Sequence, residues 1–513
     1  MQKKQTILVV ASLLVVVLSV TLAYFTAQII GKGKDVSVSS ADLKIVFTDT
    51  DGNIEGNGIT PGWGDTKTFT IENKSNETYK YNIVIQDLIN TFVTKGYLQY
   101  KITSTNGGYN MTEFKDVPKS DTAKDKILAY SVSIPVGVTQ SYTVEFKYAN
   151  DESVDQSDDM GKKLSGTLFI TEGTEDIYAG YEEGTLGYQI MGDNPTRSTR
   201  SNNNNGTNDF ATPLTATTTG TLFTGTESIA GGTPKEVYYY AGNTTNNWVK
   251  FANFYWRIIR TNHDGSIKLL YAGTSPDTTS GNIGESKFNP SNNSPKYVGY
   301  KYGEETSLDT IRNNTTNSAI KTYVDNWYKN NLINYTKYLS TSAVYCNDRS
   351  LGTGQTYSTN SLFEFASYYR MDYNTNGAKA NPSYNCTDRR DAFSVDNTSA
   401  KLTYPVSLMT TDEMAFAGGV AYIKTNTSYA WFISNSAGSQ VSSSWWSLSP
   451  DGWNGARSCV WRWDSDNAYL NIVDVGIDDA VRPVLSLKSC IKYSTGNGSS
   501  ETPYEIVETS SGC

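Results

Sequence analysis

The side chains best suited to chemistry are gathered late in the chain. From Trp445 to Lys488 the sequence reads WWSLSPDGWNGARSCVWRWDSDNAYLNIVDVGIDDAVRPVLSLK. Its middle sets Trp453, Trp461, Trp463 and Tyr469 beside Asn454, Arg457, Arg462, Asp464 and Asp466. Large rings interleaved with Arg and Asp are the residue types that dominate interface hot spots. These nine are therefore the candidate ligand-binding residues, displayed between two hydrophobic ends. Trp445, Trp446, Val481, Pro483, Val484 and Leu485 in those ends read as core. The acids Asp464, Asp466, Asp478 and Asp479 are of the type that could gather around a hard cation. No calcium-loop spacing accompanies them, so no cofactor is expected and they read as solvated loop acids.

Catalysis finds little to work with. The single histidine, His263, lies in Thr261-Asn262-His263-Asp264-Gly265, which reads as a hairpin turn. No Ser-His-Asp or Cys-His arrangement can be assembled around it. Five cysteines all lie beyond residue 345. Cys346 and Cys386 occur in the similar contexts YCNDR and NCTDR and are expected to pair, as are Cys490 and Cys513, which leaves Cys459 odd. Disulfides imply an oxidising compartment.

The elements that must position these groups are mostly strands. In the first part of the chain, Leu43/Ile45/Phe47, Phe69/Ile71, Tyr81/Ile83/Ile85, Leu98/Tyr100/Ile102, Tyr130/Val132/Ile134, Tyr142/Val144/Phe146/Tyr148 and Leu168/Ile170 alternate inward and outward. Such runs separated by turns predict an antiparallel immunoglobulin-like β-sandwich over residues 28–172. Asp49-Thr50-Asp51-Gly52-Asn53 lacks the acid that would complete a calcium loop and reads as a turn. Residues 173–232, rich in Asn and Thr, read as a flexible linker with a short helix at Leu186–Met191. From residue 233 to 513 the character changes. Strands at Val237–Tyr240, Asn247–Phe251, Phe254–Ile259 and Ile267–Tyr271 precede an amphipathic helix starting near Asn317 or Ser318. A second helix opens with the capping-box spacing of Thr410 and Glu413 and stops at Gly418-Gly419.

On the WW-x-x-SP and VRP-x-x-x-LK residues, the second half of the chain resembles the C-type-lectin-like superfamily of bacterial extracellular proteins. That superfamily includes formylglycine-generating enzymes and the variable proteins of diversity-generating retroelements. The resemblance implies an α+β fold in which the Trp453–Tyr469 segment is a loop surface held between core strands. It does not carry over the calcium-dependent sugar motifs, which are absent, nor the paired cysteines of the enzymes. Ala23-Tyr24-Phe25-Thr26, Ser40-Ala41-Asp42-Leu43-Lys44-Ile45, Thr60-Pro61-Gly62-Trp63 and Thr66–Asn73 resemble the camelysin and biofilm-matrix-fibre family of Gram-positive bacteria. That resemblance implies a surface or matrix role.

Length and composition fit this division. A chain of 513 residues exceeds one hydrophobic core, and a net charge of −9 argues against a nucleic-acid partner. The 36 tyrosines among abundant Asn, Ser and Thr resemble the composition of binding surfaces. Residues 1–27, with Lys3 and Lys4 before the apolar run Ile7–Leu22, read as an export signal, with an uncleaved membrane anchor as the rival. The expectation is a mainly β protein with some α, exported and non-catalytic, whose second half binds a protein or glycan. The alternatives are a fibre or matrix subunit that self-assembles through its sandwich and, further back, a hypervariable retroelement target.

Overall fold

The computed structural model describes residues 26–27, 35–40, 43–49, 53–55 and 59–513, apart from 201–209, 211–212, 216, 277–280, 372–379 and 434–442. The leader up to residue 25 and the middle of the Asp49–Asn53 turn lie outside the described residues. Among those described, no helix is long and apolar enough to cross a membrane. The chain divides into two compact units, Met1–Asp176 and Ile177–Cys513, and the fold is mainly β with some α.

The first unit is built from β1 (Gly64–Asn73), β2 (Tyr79–Asn90), β3 (Leu98–Ser104), β4 (Ser120–Ile134), β5 (Thr139–Tyr148) and β6 (Leu164–Glu172), with shorter strands at its margins. One sheet runs from Thr26–Ala27 through β6 and β2 to β4. The other places Leu43–Asp49, β1, β5 and β3 side by side. Period-two patterning drives this arrangement. In β1, Phe69, Ile71 and Asn73 are buried while Thr68 and Thr70 face outward. Ile71, Ile102 and Val144 from one sheet join Ile83, Ile85 and Leu168 from the other in a single core, as a sandwich requires.

The second unit opens with helix α1 (Leu186–Asp193) and strands β7 (Thr221–Glu227), β8 (Lys235–Tyr239), β9 (Trp248–Phe251), β10 (Phe254–Thr261) and β11 (Ile267–Tyr271). Here the structure corrects the expected linker. Leu186, Ile190 and Met191 of α1 and Leu222 of β7 are buried in the main core, and β7 pairs along its length with β8. The strand takes up the end of the Thr-rich run, from Thr221 onward, where Leu222 and Phe223 supply the buried positions and β-branched threonine suits a pleated strand. The stretch therefore completes the second unit over most of its described length instead of spacing it from the first.

Helix α2 (Ala319–Asn331) follows, capped by Ser318, whose side chain accepts from Lys321 N–H. Ile320, Val324 and Tyr328 recur at i, i+4 and i+8 and turn inward. After β12 (Val406–Leu408) comes helix α3 (Thr411–Ala417), where Thr410 and Glu413 form a reciprocal capping box. It ends at Gly418, with φ of 119°, a conformation that favours glycine. The chain closes through β13 (Trp445–Trp453), β14 (Ser458–Asp464), β15 (Tyr469–Asp474), β16 (Asp478–Ala480), β17 (Pro483–Leu487) and β18 (Tyr504–Ile506).

Two sheets result. β7, β8, β10, β9 and β18 lie in sequence in the larger one, with β11 and β17 also joined to it. The smaller holds Glu285–Lys287, β16, β13, β14 and β15 in that order. Arg482, between β16 and β17, pins the junction. It is 2% exposed and donates to the carbonyls of Tyr271, Gly281 and Phe432 beneath the Trp445 ring, 4.8 Å away. Both expected disulfides are present, Cys346–Cys386 and Cys490–Cys513, and Cys459 is free.

Candidate ligand-binding surface

The candidate residues fall on β13, β14, the start of β15 and the turns between them, and strand alternation splits them into two sets. Trp461 pairs across to Ile472 and Trp463 to Leu470, whereas Arg462 pairs to Asn471 and Asp464 to Tyr469. Successive residues point to opposite faces, so the tryptophans go one way and the polar row the other. Trp461 and Trp463 are 0% and 1% exposed and Trp453 is 4% exposed. Trp463 packs edge-on to Phe432 at 5.5 Å, and Trp461 lies 5.6 Å from Tyr422.

This overturns the reading of Trp453, Trp461 and Trp463 as displayed. Each ring is worth too much apolar area to leave in water when the sheet has a face to bury it on. The indole N–H groups of Trp445, Trp453, Trp461 and Trp463 find no hydrogen-bond partner, so these side chains serve as apolar filling.

Five side chains of the set reach solvent, three exposed and two half-buried. The tight turn between β13 and β14 exposes Asn454 and Arg457. Asn454 Oδ1 accepts from the N–H groups of Ala456 and Arg457, and Gly455 supplies the positive φ of 89°. The Arg457 side chain is 65% exposed, 3.5 Å from Asp474. Asp466 is exposed and Tyr469 half-buried. Arg462 is half-buried, its guanidinium 3.0 Å from Asp479 and 3.1 Å from Asp464.

Those ion pairs also answer the cation reading. The Asp464 carboxylate is 2% exposed and accepts from Asn467, Asn471, Arg462 and the N–H of Asp466. Burial alone would raise its pKa, but the Asn471 and Asn467 hydrogen bonds hold it below the ordinary carboxylate range. Burial raises Asp479, with Asp464 and Glu285 adding, against the lowering effect of Arg462. The arginine thus occupies the space between the acids. Among the described residues no group of three or more His, Cys, Asp or Glu is placed to hold a metal.

Sequence reasoning missed Asn471, which completes the polar row, and Tyr422, which borders it 6.3 Å from Tyr469; Asp479 it named only as an acid of the cation-binding type. Tyr422 has φ of 55°, strained for a bulky side chain. Its loop closes part of the β15 edge, with Tyr422 N–H donating to Leu470 O and Leu470 N–H to Val420 O. Only the pair Gly418-Gly419 just upstream hinted at an unusual path.

A second cluster of ionisable groups lies elsewhere in the unit. Arg260 bridges Glu227 and Glu413 at 2.8 and 2.9 Å, and Lys268 also meets Glu413 at 2.8 Å. Arg370 bridges Asp348 and Asp412 at 2.8 and 2.6 Å. The His263 backbone N–H donates to Glu227 at 2.6 Å, which ties the expected turn to this network. A cavity of about 20 Å³ separates the two bridges, room for one water and no larger ligand. Burial, with Asp451 and Asp474 adding, pushes the Cys459 thiol up to about 12, which disfavours its thiolate form.

No family model matches the sequence, and no curated protein does. Among solved structures, a ruminal GH26 endo-beta-1,4-mannanase is 16% identical over 30% of this chain and 31% of its own, with a TM-score of 0.15. CapF with the inhibitor 3-isopropenyl-tropolone is 10% identical over 28% of this chain and 32% of its own, with a TM-score of 0.08. The chain spans about a third of each, and overlaps this small say nothing of fold or activity.

Proposed function

We propose that this is an exported, extracellular or cell-surface protein whose second unit binds a protein or glycan ligand through the solvent face of β14 and β15 and the adjoining Asn454–Arg457 turn. The observation that carries the reading is the polar row Arg462, Asn471 and Tyr469, backed by a layer of buried tryptophans on the opposite face of the same strands. A rigid scaffold under half-buried Arg, Asn and Tyr side chains, with exposed Asn454 and Arg457 beside them, loses little entropy when a ligand docks. Two disulfides support an oxidising destination. The resemblance to lectin-like domains supports the same face, without calcium.

The test is an array of glycans and cell-surface proteins probed with the full exported chain, beside Arg457→Ala and Tyr469→Ala variants. Selective binding weakened roughly tenfold or more in the variants is the expected result. Binding that is selective yet indifferent to both residues would move the site elsewhere, and no selective binding at all would remove the role. The matrix-subunit alternative rests on β4, a 15-residue strand at a sheet edge. That edge carries repeated register shifts against β2 and the charged residues Asp121, Lys124, Asp125 and Lys126. Both features discourage pairing with another chain, so this reading is the less supported one.

A further inference from the structure

A buried amine and a buried acid on α2 take no part in the proposed surface. Lys321 and Asp325 stand one helical turn apart, with Nζ 2.5 Å from Oδ2. Their side chains are 1% and 12% exposed. Around them lie Tyr300 and, on β12, Ser407, both 0% exposed. The Tyr300 hydroxyl faces Ser407, and Asp325 Oδ1 lacks a hydrogen-bond partner. Nζ stands 5.8 Å from the Tyr300 ring centroid.

Burial lowers the pKa of Lys321, with Lys301 adding to the effect, and burial raises that of Asp325. The surroundings therefore oppose charge at both ends of the pair. Moving one proton from Nζ to Oδ2 leaves a neutral amine in contact with a neutral carboxylic acid. Residues four apart on a helix hold their Cβ atoms about 5–6 Å apart, a span that a lysine stem and an aspartate carbonyl can bridge without unwinding the turn.

We propose that Lys321 and Asp325 condense to an intramolecular amide. The Nζ lone pair adds to Asp325 Cγ, the bond from Cγ to its hydroxyl oxygen breaks, and that hydroxyl leaves with a proton from Nζ as water. The product is an Nζ to Cγ amide and one water molecule. Nothing is oxidised or reduced, and no co-reactant enters. The second carboxyl oxygen, Asp325 Oδ1, has no hydrogen-bond partner that would hold it against the change. The amide replaces two charges that burial disfavours and closes a covalent ring over the first turns of α2.

Intact-mass measurement of the full chain, followed by tryptic mapping, tests this. The expected protein is lighter by the mass of one water than the disulfide-bonded sequence. Its peptide map retains an uncut bond after Lys321, with the loss localised to the Lys321–Asp325 pair. Lys321→Arg and Asp325→Ala each restore the full mass. A wild-type protein of full mass that trypsin cuts after Lys321 overturns the proposal without recourse to variants. A water loss that maps to any other residue overturns it equally.

Discussion

At the scale of single residues, the second unit separates side chains that hold the fold from those that meet the outside. Trp461→Ala or Trp463→Ala removes a fully buried ring, and a loss of about 3–5 kcal/mol is expected in denaturant unfolding. A displayed tryptophan would instead lose binding with stability intact. Arg457→Ala, on an exposed turn, is expected to change stability by no more than about 0.5 kcal/mol. The buried network gives a pH signature. Glu227 is held well below the ordinary range: burial would raise it, but Arg260, the His263 contact and Lys268 outweigh that effect. Glu413 is lowered by Lys268 and Arg260 against the same burial. A depressed carboxylate contributes stability that is present above its unfolded pKa and lost as pH falls through its folded one. Thermal unfolding of the full chain should therefore weaken progressively below about pH 4. Arg260→Ala leaves two buried carboxylates without their shared cation and should destabilise by about 3–5 kcal/mol at neutral pH. Unchanged stability in that variant would mean the network is dispensable.

At the scale of elements, what was local in the sequence was legible and what was long-range was not. The capping box of α3 could be read from Thr410 and Glu413 because cap chemistry is settled within four residues. Thr410→Ala should lower stability by about 1 kcal/mol, measurable as a shift in the urea midpoint at constant slope. The alternating strands of the first unit were equally plain, since a half-buried strand writes its period directly. The pairing of Cys346 with Cys386 followed from two similar contexts, and closing a loop of 40 residues should stabilise by roughly 4 kcal/mol on the chain-entropy model. Cys346→Ala with Cys386→Ala, compared by thermal unfolding under oxidising conditions, measures that contribution. The segment Trp453–Tyr469 misled because a run of aromatics reads the same whether its rings face water or a second layer. Which face of β14 is buried depends on Phe432 and Tyr422, too distant in sequence for any local pattern to reveal. The Thr-rich stretch before β8 misled for a similar reason: its partners were strands still to come.

At the scale of the whole molecule, each unit has its own core, and two unfolding transitions are expected in calorimetry. Reduction should move the one belonging to the second unit, which alone carries the disulfides. The two units also differ in when they can be finished. The first is assembled from strands that follow one another closely and is complete once β6 has joined β2. In the second, β9 takes β18 as its parallel neighbour, with Val249 opposite Tyr504, and β11 pairs with β17, with Ile267 opposite Leu487. Even the opening of α1 is tied late, Leu186 N–H donating to Ile491 O. A chain emerging N-terminal end first, from a ribosome or a translocation channel, thus delivers the first unit ready to fold. It must then carry β9 and β11 with open edges until almost all the remaining residues have arrived. Time, as well as sequence, separates the two halves, and the later one is where slow folding and the need for protection during synthesis should concentrate.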